Sequence, residues 1–197
     1  MPGEVVQAHR YQQNACNIAE HPILNAACKE DPAKLGVTFN AINLDITSFC
    51  HFTNKDLTEL KNYVQGDVLA LSSQFPPETF KTVVLGEFLE HCVWDAAFKA
   101  LTEIRIVLAD DGVLVVTYPL DDRPKEVQHA ADKLVATVEG ETGHDITTWH
   151  QTVWEDEKFN DLIEKTGWRI EQKSDIQYGF VARNPGGYGM LLKKRWE

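Results

Sequence analysis

Three apolar runs in this chain end on residues that can bind a polar ligand. Asp45 closes Ala41-Ile42-Asn43-Leu44, and a carboxylate at a strand end can accept both hydroxyls of a ribose. Gly66-Asp67 closes Tyr63-Val64-Gln65, where an aspartate beside a backbone amide can read the edge of an adenine. Gly86-Glu87-Phe88-Leu89-Glu90-His91 leaves the run Phe80-Lys81-Thr82-Val83-Val84-Leu85; the glycine lets backbone approach a ligand, and polar groups follow at once. Taken singly, each is also what a turn or a helix cap uses. Three of them in order along one sheet edge describe a binding site.

The elements that must position these residues alternate. Residues 4–20 place Val5, Ala8, Ala15, Ile18 and Ala19 on one helical face, and His21-Pro22 stops that helix. Strands are predicted at 23–28, 41–46 and 80–85, with a strand end and turn over 63–68, followed by a helix over 95–108, a turn at Asp110-Asp111-Gly112 and a strand over 113–119. The last of these is continuously apolar, as a strand covered on both faces must be. A helix over 155–165 stops at Thr166-Gly167. Residues 168–170 and 189–192 read as final strands, with Tyr178-Gly179-Phe180 and Gly186-Gly187-Tyr188-Gly189 as the hairpin turn between them. Strand-helix alternation predicts an α/β fold: a three-layer, open, mostly parallel sheet with helices on both faces. Ligands of such sheets bind outside the carboxyl ends of the strands.

Composition narrows the class. With 197 residues, 43% of them hydrophobic, the chain suits a single domain over 1–197. No apolar run reaches the roughly 18–20 residues of a membrane span, and the first residues lack a basic start followed by an apolar stretch. A cytoplasmic protein is expected. Nineteen Lys+Arg against thirty Asp+Glu give a net charge of -11, which disfavours a nucleic-acid partner and fits a small-molecule substrate. Lys193-Lys194-Arg195 reads as a solvated chain end. Four cysteines, none in a CxxC pair, imply reduced thiols, and the adjacent pairs Cys50-His51 and His91-Cys92 are poorly spaced for zinc, so no metal is expected. Gly-x-Ser-x-Gly, phosphate-loop and His-Glu-x-x-His motifs are absent.

Residues 80–119, FKTVVLGEFLEHCVWDAAFKALTEIRIVLADDGVLVVTYP, resemble the fourth-strand to fifth-strand segment of class I S-adenosylmethionine-dependent methyltransferases. Residues 152–170, with Trp154, Phe159, Leu162 and Gly167-Trp168, are similar to that family's late helix and sixth strand, and the likeness covers most of residues 10–192. The resemblance implies a Rossmann-like methyltransferase fold and S-adenosylmethionine as cofactor. It also implies roles. Residues 25–31 would form the loop under the methionine moiety, and Asp45 would hold the ribose hydroxyls. Asp67 would approach the adenine amine with Val68 near the ring, and Gly86 and Glu87 would line the methionine side. Residues 120–152, with a helix over 126–139, would be the substrate-covering insertion. Proton acceptors, needed only where the methyl acceptor loses a proton, would come from His91, Glu87, Tyr118, Asp121, His144, Trp149 and His150; His91, His150 and Glu87 head that group.

The first loop departs from the family. Its pattern runs acidic-x-Gly-x-Gly-x-Gly, and here stands Asn25-Ala26-Ala27-Cys28-Lys29-Glu30-Asp31. Asparagine replaces the acidic residue, alanine the first glycine, lysine the second and aspartate the third. Either Glu30 or Asp31 supplies the carboxylate for the cofactor's ammonium group, or the pocket holds the cofactor poorly. A DNA acceptor is disfavoured, since the proline-containing fourth-strand signature of those enzymes is replaced by Gly86-Glu87-Phe88-Leu89. The expected activity is methyl transfer to a small molecule, with a second copy of the chain, in a homodimer, able to complete the site. The alternative is a retained fold serving as a non-catalytic binding module. A nicotinamide enzyme is disfavoured because no glycine lies between Ile23 and Leu35.

Overall fold

Unbroken runs of Val, Leu and Ile make strands that can be buried on both faces, and here they assemble into one sheet. The computed structural model describes residues 19–28, 41–50, 55–59, 61–86, 88–117, 156–173 and 179–183. In chain order the strands are β1 (Ile23–Ala26), β2 (Ala41–Asp45), β3 (Phe49–Cys50), β4 (Lys55–Asp56), β5 (Tyr63–Gln65), β6 (Phe80–Gly86), β7 (Leu108–Thr117), β8 (Arg169–Lys173) and β9 (Gly179–Arg183). Seven of them form a sheet in the order β5-β2-β1-β6-β7-β9-β8, and β3 and β4 pair as a separate antiparallel hairpin. The first five are parallel, while β9 runs antiparallel to both β7 and β8. Strand order reverses at β1, which lies between β2 and β6. The crevice outside the carboxyl ends of β1 and β6 is therefore the place where a ligand fits.

The helices α1 (Trp94–Val107) and α2 (Asp156–Thr166) lie against the larger of two apolar layers. On α1 the residues Ala97, Ala100, Leu101, Ile104 and Val107 recur at helical spacing and are buried with Leu24, Leu44, Val83, Leu85, Leu114 and Val116 of the sheet. α2 adds Phe159, Leu162 and Ile163 to the same layer. On the other face Ile23, Ala41, Val84 and Val115 are buried too, so both sides of the sheet are covered. α2 ends as glycine dictates: Gly167 takes φ 73°, and the amides of Gly167 and Trp168 donate to the carbonyls of Glu164 and Ile163, both at 3.0 Å.

Two expectations change. Asp110-Asp111-Gly112 is not a turn ahead of the strand but a bulge inside β7, because Leu108 already pairs with Phe80 before Val113 pairs with Thr82. Glycine is needed there: a Cβ on Gly112 would stand 2.6 Å from Leu108 Cγ. Gly179 and Phe180 are not part of a hairpin turn. They open β9, where Phe180, Val181 and Ala182 pair with Val116, Val115 and Leu114 of the central sheet. An apolar run offered to an apolar strand outweighs the turn tendency of one glycine. The expected helices over 4–20 and 126–139, the strand over 189–192, the Gly186-Gly187-Tyr188-Gly189 stretch and the 120–152 insertion lie outside the described residues.

Candidate active site

At the crevice β1 ends and the chain turns at Ala27, whose φ is 55°. That is the left-handed region, which costs an alanine about 1–2 kcal/mol and a glycine nothing. The position of the missing first glycine thus keeps a glycine-type backbone. Cys28, buried at 4% exposure, follows and its amide donates to Leu44 O at 3.0 Å, which ties the chain just past β1 to β2.

Asn25 is buried, and its Nδ2 donates to Oδ1 of Asn43, its register partner on β2, at 3.1 Å. Asn43 in turn uses its Nδ2 to donate to Lys61 O at 3.1 Å. Because the Asn43 amide nitrogen faces that carbonyl, Asn43 shows its oxygen to residue 25. Only a donor satisfies that oxygen, so an ionised acid would be wrong here. The departure from an acidic residue at position 25 has this physical account.

Asp45 ends β2 with 1% exposure, and its Oδ1 accepts from the backbone N of Thr47 at 3.0 Å and from Thr47 Oγ1 at 3.1 Å. Its carbonyl accepts from Gly66 N at 2.8 Å, which ties the end of β2 to the end of β5. Asp67 then caps the short 3-10 helix Val68–Ser73, its Oδ1 accepting from Leu69 N at 2.8 Å. Asp67 is half-buried and Val68 sits in the main core at 4% exposure. Ile46, directly after Asp45, is 59% exposed, a large apolar side chain left just past the end of β2. Gly86 ends β6, next to β1, and is half-buried.

His91 lies further on, in the one-turn helix Leu89–His91. Its Nε2 is 3.8 Å from Oε1 of the buried Glu90, and its side chain is 30% exposed. The neighbouring Cys92 thiol is pushed up to about 12 by burial first and by Glu90 second, so at neutral pH it is an inert thiol rather than a nucleophile. Burial, then the charge of Asp45, raises the Tyr63 phenol to about 12, and its hydroxyl stays a donor across the ordinary pH range.

The fold thus gathers Ala27, Cys28, Asp45, Asp67 and Val68 around three neighbouring strand ends, with Gly86 on the fourth. Asn25 stands beneath them inside the sheet. Glu30, Asp31, Glu87 and His150 lie outside the described residues, as do Tyr118, Asp121, His144 and Trp149.

Residues 28–116 match the family described as a methyltransferase domain. No curated protein matches the chain by sequence. Solved structures with the same architecture include an S-adenosylmethionine-dependent methyltransferase from Archaeoglobus fulgidus, with TM-score 0.60, 15% identity and coverage of 90% of this chain and 93% of that one. The fold is that of the class I S-adenosylmethionine-dependent methyltransferases. S-adenosylmethionine is the cofactor that goes with this fold and domain. The 1,6-didemethyltoxoflavin-N1-methyltransferase of Burkholderia thailandensis, solved with 1,6-didemethyltoxoflavin and S-adenosylhomocysteine, aligns at TM-score 0.59 and 13% identity over 89% of this chain and 77% of that one. A methyltransferase of Methanosarcina mazei aligns at TM-score 0.56 and 14% identity over 82% and 91%.

In this methyltransferase fold several residues matter that sequence reasoning passes over. Tyr63 and Gln65 reach from β5 to the turn after β2, Thr47 occupies the carboxylate of Asp45, and Asn43 dictates the residue at position 25. Two signals were available. Asp-x-Thr after a strand is an Asx-turn pattern. Tyr63 and Gln65, two apart on a strand, must share a face.

Proposed function

We propose that this chain binds S-adenosylmethionine across the carboxyl ends of β1, β2, β5 and β6 and transfers its methyl group to a small-molecule acceptor. The observation that carries this reading is the left-handed turn at Ala27, set at the point where strand order reverses and flanked by Asp45 and Asp67. At the first of the family's glycine positions, Ala27, the left-handed conformation stands without the glycine. The residues present fit the group. Bound there, the cofactor supplies a methyl on a sulfonium, already activated for transfer.

The work left to the protein is binding, alignment and exclusion of water. Asp45 holds the ribose hydroxyls, exchanging the Thr47 hydroxyl for a ligand hydroxyl at Oδ1. Asp67 takes the adenine amine with a carboxylate already oriented by its cap bond to Leu69. Val68 supports the ring, Asn25, Ala27 and Cys28 shape the loop, and Glu30 or Asp31 meets the ammonium. Gly86 and Glu87 line the methionine side. His91, His150 and Glu87 are the candidates to take a proton where the acceptor must lose one. The net charge of -11 supports a small molecule over nucleic acid.

The test is calorimetric titration of S-adenosylmethionine and S-adenosylhomocysteine into the chain and into Asp45→Ala. Micromolar binding that the variant loses supports the reading, and screening of small-molecule acceptors follows. A folded protein that binds neither ligand up to millimolar concentration refutes it. That result would favour the fold retained as a binding module, the reading that Lys29 and Asp31 at glycine positions would then support. Sedimentation of the active protein decides whether a homodimer completes the site.

A further inference from the structure

The turn after β2 is held in an unusual way. Five consecutive carbonyls, from Leu44 to Ser48, each accept a hydrogen bond from another element. Leu44 O receives the amide of Cys28 at 3.0 Å, Asp45 O that of Gly66 at 2.8 Å, and Ser48 O that of Leu57 at 2.8 Å. The remaining two are met by side chains of β5. Gln65 Nε2 donates to Ile46 O at 3.1 Å, and the Tyr63 hydroxyl donates to Thr47 O at 2.6 Å. A surface turn ordinarily leaves such carbonyls to water. Here the edge strand grips them.

The grip reaches a carboxylate. Thr47, whose carbonyl Tyr63 holds, is the residue whose N and Oγ1 both donate to Asp45 Oδ1. Fixing Thr47 therefore fixes the orientation of Asp45. Tyr63 and Gln65 lie two residues apart on β5, opposite Asn43 and Asp45 in register, so both side chains stand on the face that carries Asp45.

We propose that Tyr63 and Gln65 are positioning residues for cofactor recognition: they clamp the Asp45-Ile46-Thr47 turn so that Asp45 discriminates ligands by their ribose hydroxyls. This rests on the assignment of Asp45 to the ribose. The two side chains touch no ligand themselves; they act through Thr47 and the turn. Holding a recognition group in its bound geometry before binding raises selectivity because less ordering remains to be done on binding.

The experiment uses the full chain and two probes, S-adenosylhomocysteine and its 2′-deoxyribose counterpart, titrated by calorimetry into wild type, Asp45→Ala, Tyr63→Phe and Gln65→Leu. Thermal melts confirm that each variant is folded. Wild type is expected to favour the hydroxyl-bearing probe by about tenfold or more, the value of a charge-assisted hydrogen bond. Asp45→Ala should abolish that preference, and its failure to do so overturns the ribose assignment and this inference with it. With the assignment standing, Tyr63→Phe should weaken S-adenosylhomocysteine about fivefold while leaving the deoxy probe nearly unchanged, so that the preference shrinks. Gln65→Leu, at an exposed position that tolerates substitution, should act in the same direction and decides the matter if Tyr63→Phe does not fold. Equal weakening of both probes by a folded variant, as a merely structural role would give, overturns the inference. So does no change in either.

Discussion

Replacing Ala27 with glycine should not destabilise the protein, although removing a methyl group from the adjacent Ala26 should. Ala26 is wholly buried in β1. Its methyl contributes about 0.8 kcal/mol of burial, and glycine adds about 0.5–1 kcal/mol of unfolded-chain entropy, so Ala26→Gly should lose about 1.5 kcal/mol. Ala27 differs in one respect, its φ of 55°. The same entropy applies and its methyl, packed at the edge of the core, contributes about 0.5 kcal/mol, but glycine returns the 1–2 kcal/mol of left-handed strain. Ala27→Gly should therefore come out within about 0.5 kcal/mol of wild type. At roughly 2–4 °C per kcal/mol for a chain this long, the two variants should melt about 3–6 °C apart in differential scanning calorimetry. Ala27→Val, which forces a β-branched side chain into the same backbone region, should lose more than about 2 kcal/mol. If Ala27→Gly falls as far as Ala26→Gly, the turn is not strained and the loop does not keep a glycine-type path. S-adenosylhomocysteine titrated into Ala27→Gly should bind at least as well as into wild type.

Thr47→Val removes the hydroxyl that competes for Asp45 Oδ1 while keeping the backbone bond that orients the carboxylate, and should tighten S-adenosylhomocysteine by up to about fivefold in the same titration; weaker binding would show that the hydroxyl's orienting of Asp45 outweighs its competition with the ligand. Arg105 is buried at 4% exposure, its Nη1 donates to Thr166 O at 2.9 Å and its guanidinium stands 5.9 Å from the Trp168 ring, so Arg105→Met should cost about 1.5–3 kcal/mol in urea unfolding by leaving the end of α2 without that donor. Stability should also fall in alkali. The Cys92 thiol titrates at 9.0 when exposed and at about 12 when folded, and the Tyr63 phenol moves from 10.0 to about 12. Both raised values favour the neutral form, so their contribution is whole below pH 9 and is lost as pH rises towards 12. Cys92→Ala should delay the onset of that loss by about one pH unit, because Tyr63 then starts it; an unchanged onset in pH-dependent urea unfolding would refute the assignment.

Much of the fold was legible in the sequence because short-range patterns encode it. Continuous apolarity in Val83-Val84-Leu85 and Val113-Leu114-Val115-Val116 requires a doubly covered strand wherever it lies in the chain. The helical spacing of Ala97, Leu101 and Ile104 requires one buried helix face, and Gly167 after a polar last turn requires a stop. The positions of Asp45, Asp67 and Gly86 followed from the same logic, since Asp45 and Gly86 end strands, Asp67 follows one by two residues, and parallel strands deliver their ends to one edge. The segment at Gly179 and Phe180 was misread because its glycine speaks for a turn locally, and only the open edge of β7 beside it makes a strand the better use of Phe180 and Val181.

Register and backbone conformation at single residues belong to the tertiary structure alone. No local pattern states that Asn25 stands opposite Asn43, yet that pairing is what makes an uncharged amide the right residue there. Nor does the sequence around Tyr63 announce Thr47, sixteen positions earlier, as the partner of its hydroxyl. The alanine at position 27 looked like the loss of a glycine, and its φ shows the glycine's conformation kept without the glycine. Neighbours along the chain suffice to mark the parallel strands, α1 and α2, because apolar runs, helical spacing and stop residues are local properties. Which side chains meet across strands, and which backbone is held left-handed, is settled by packing, because hydrogen bonds between strands depend on a register that is set only when the whole sheet packs.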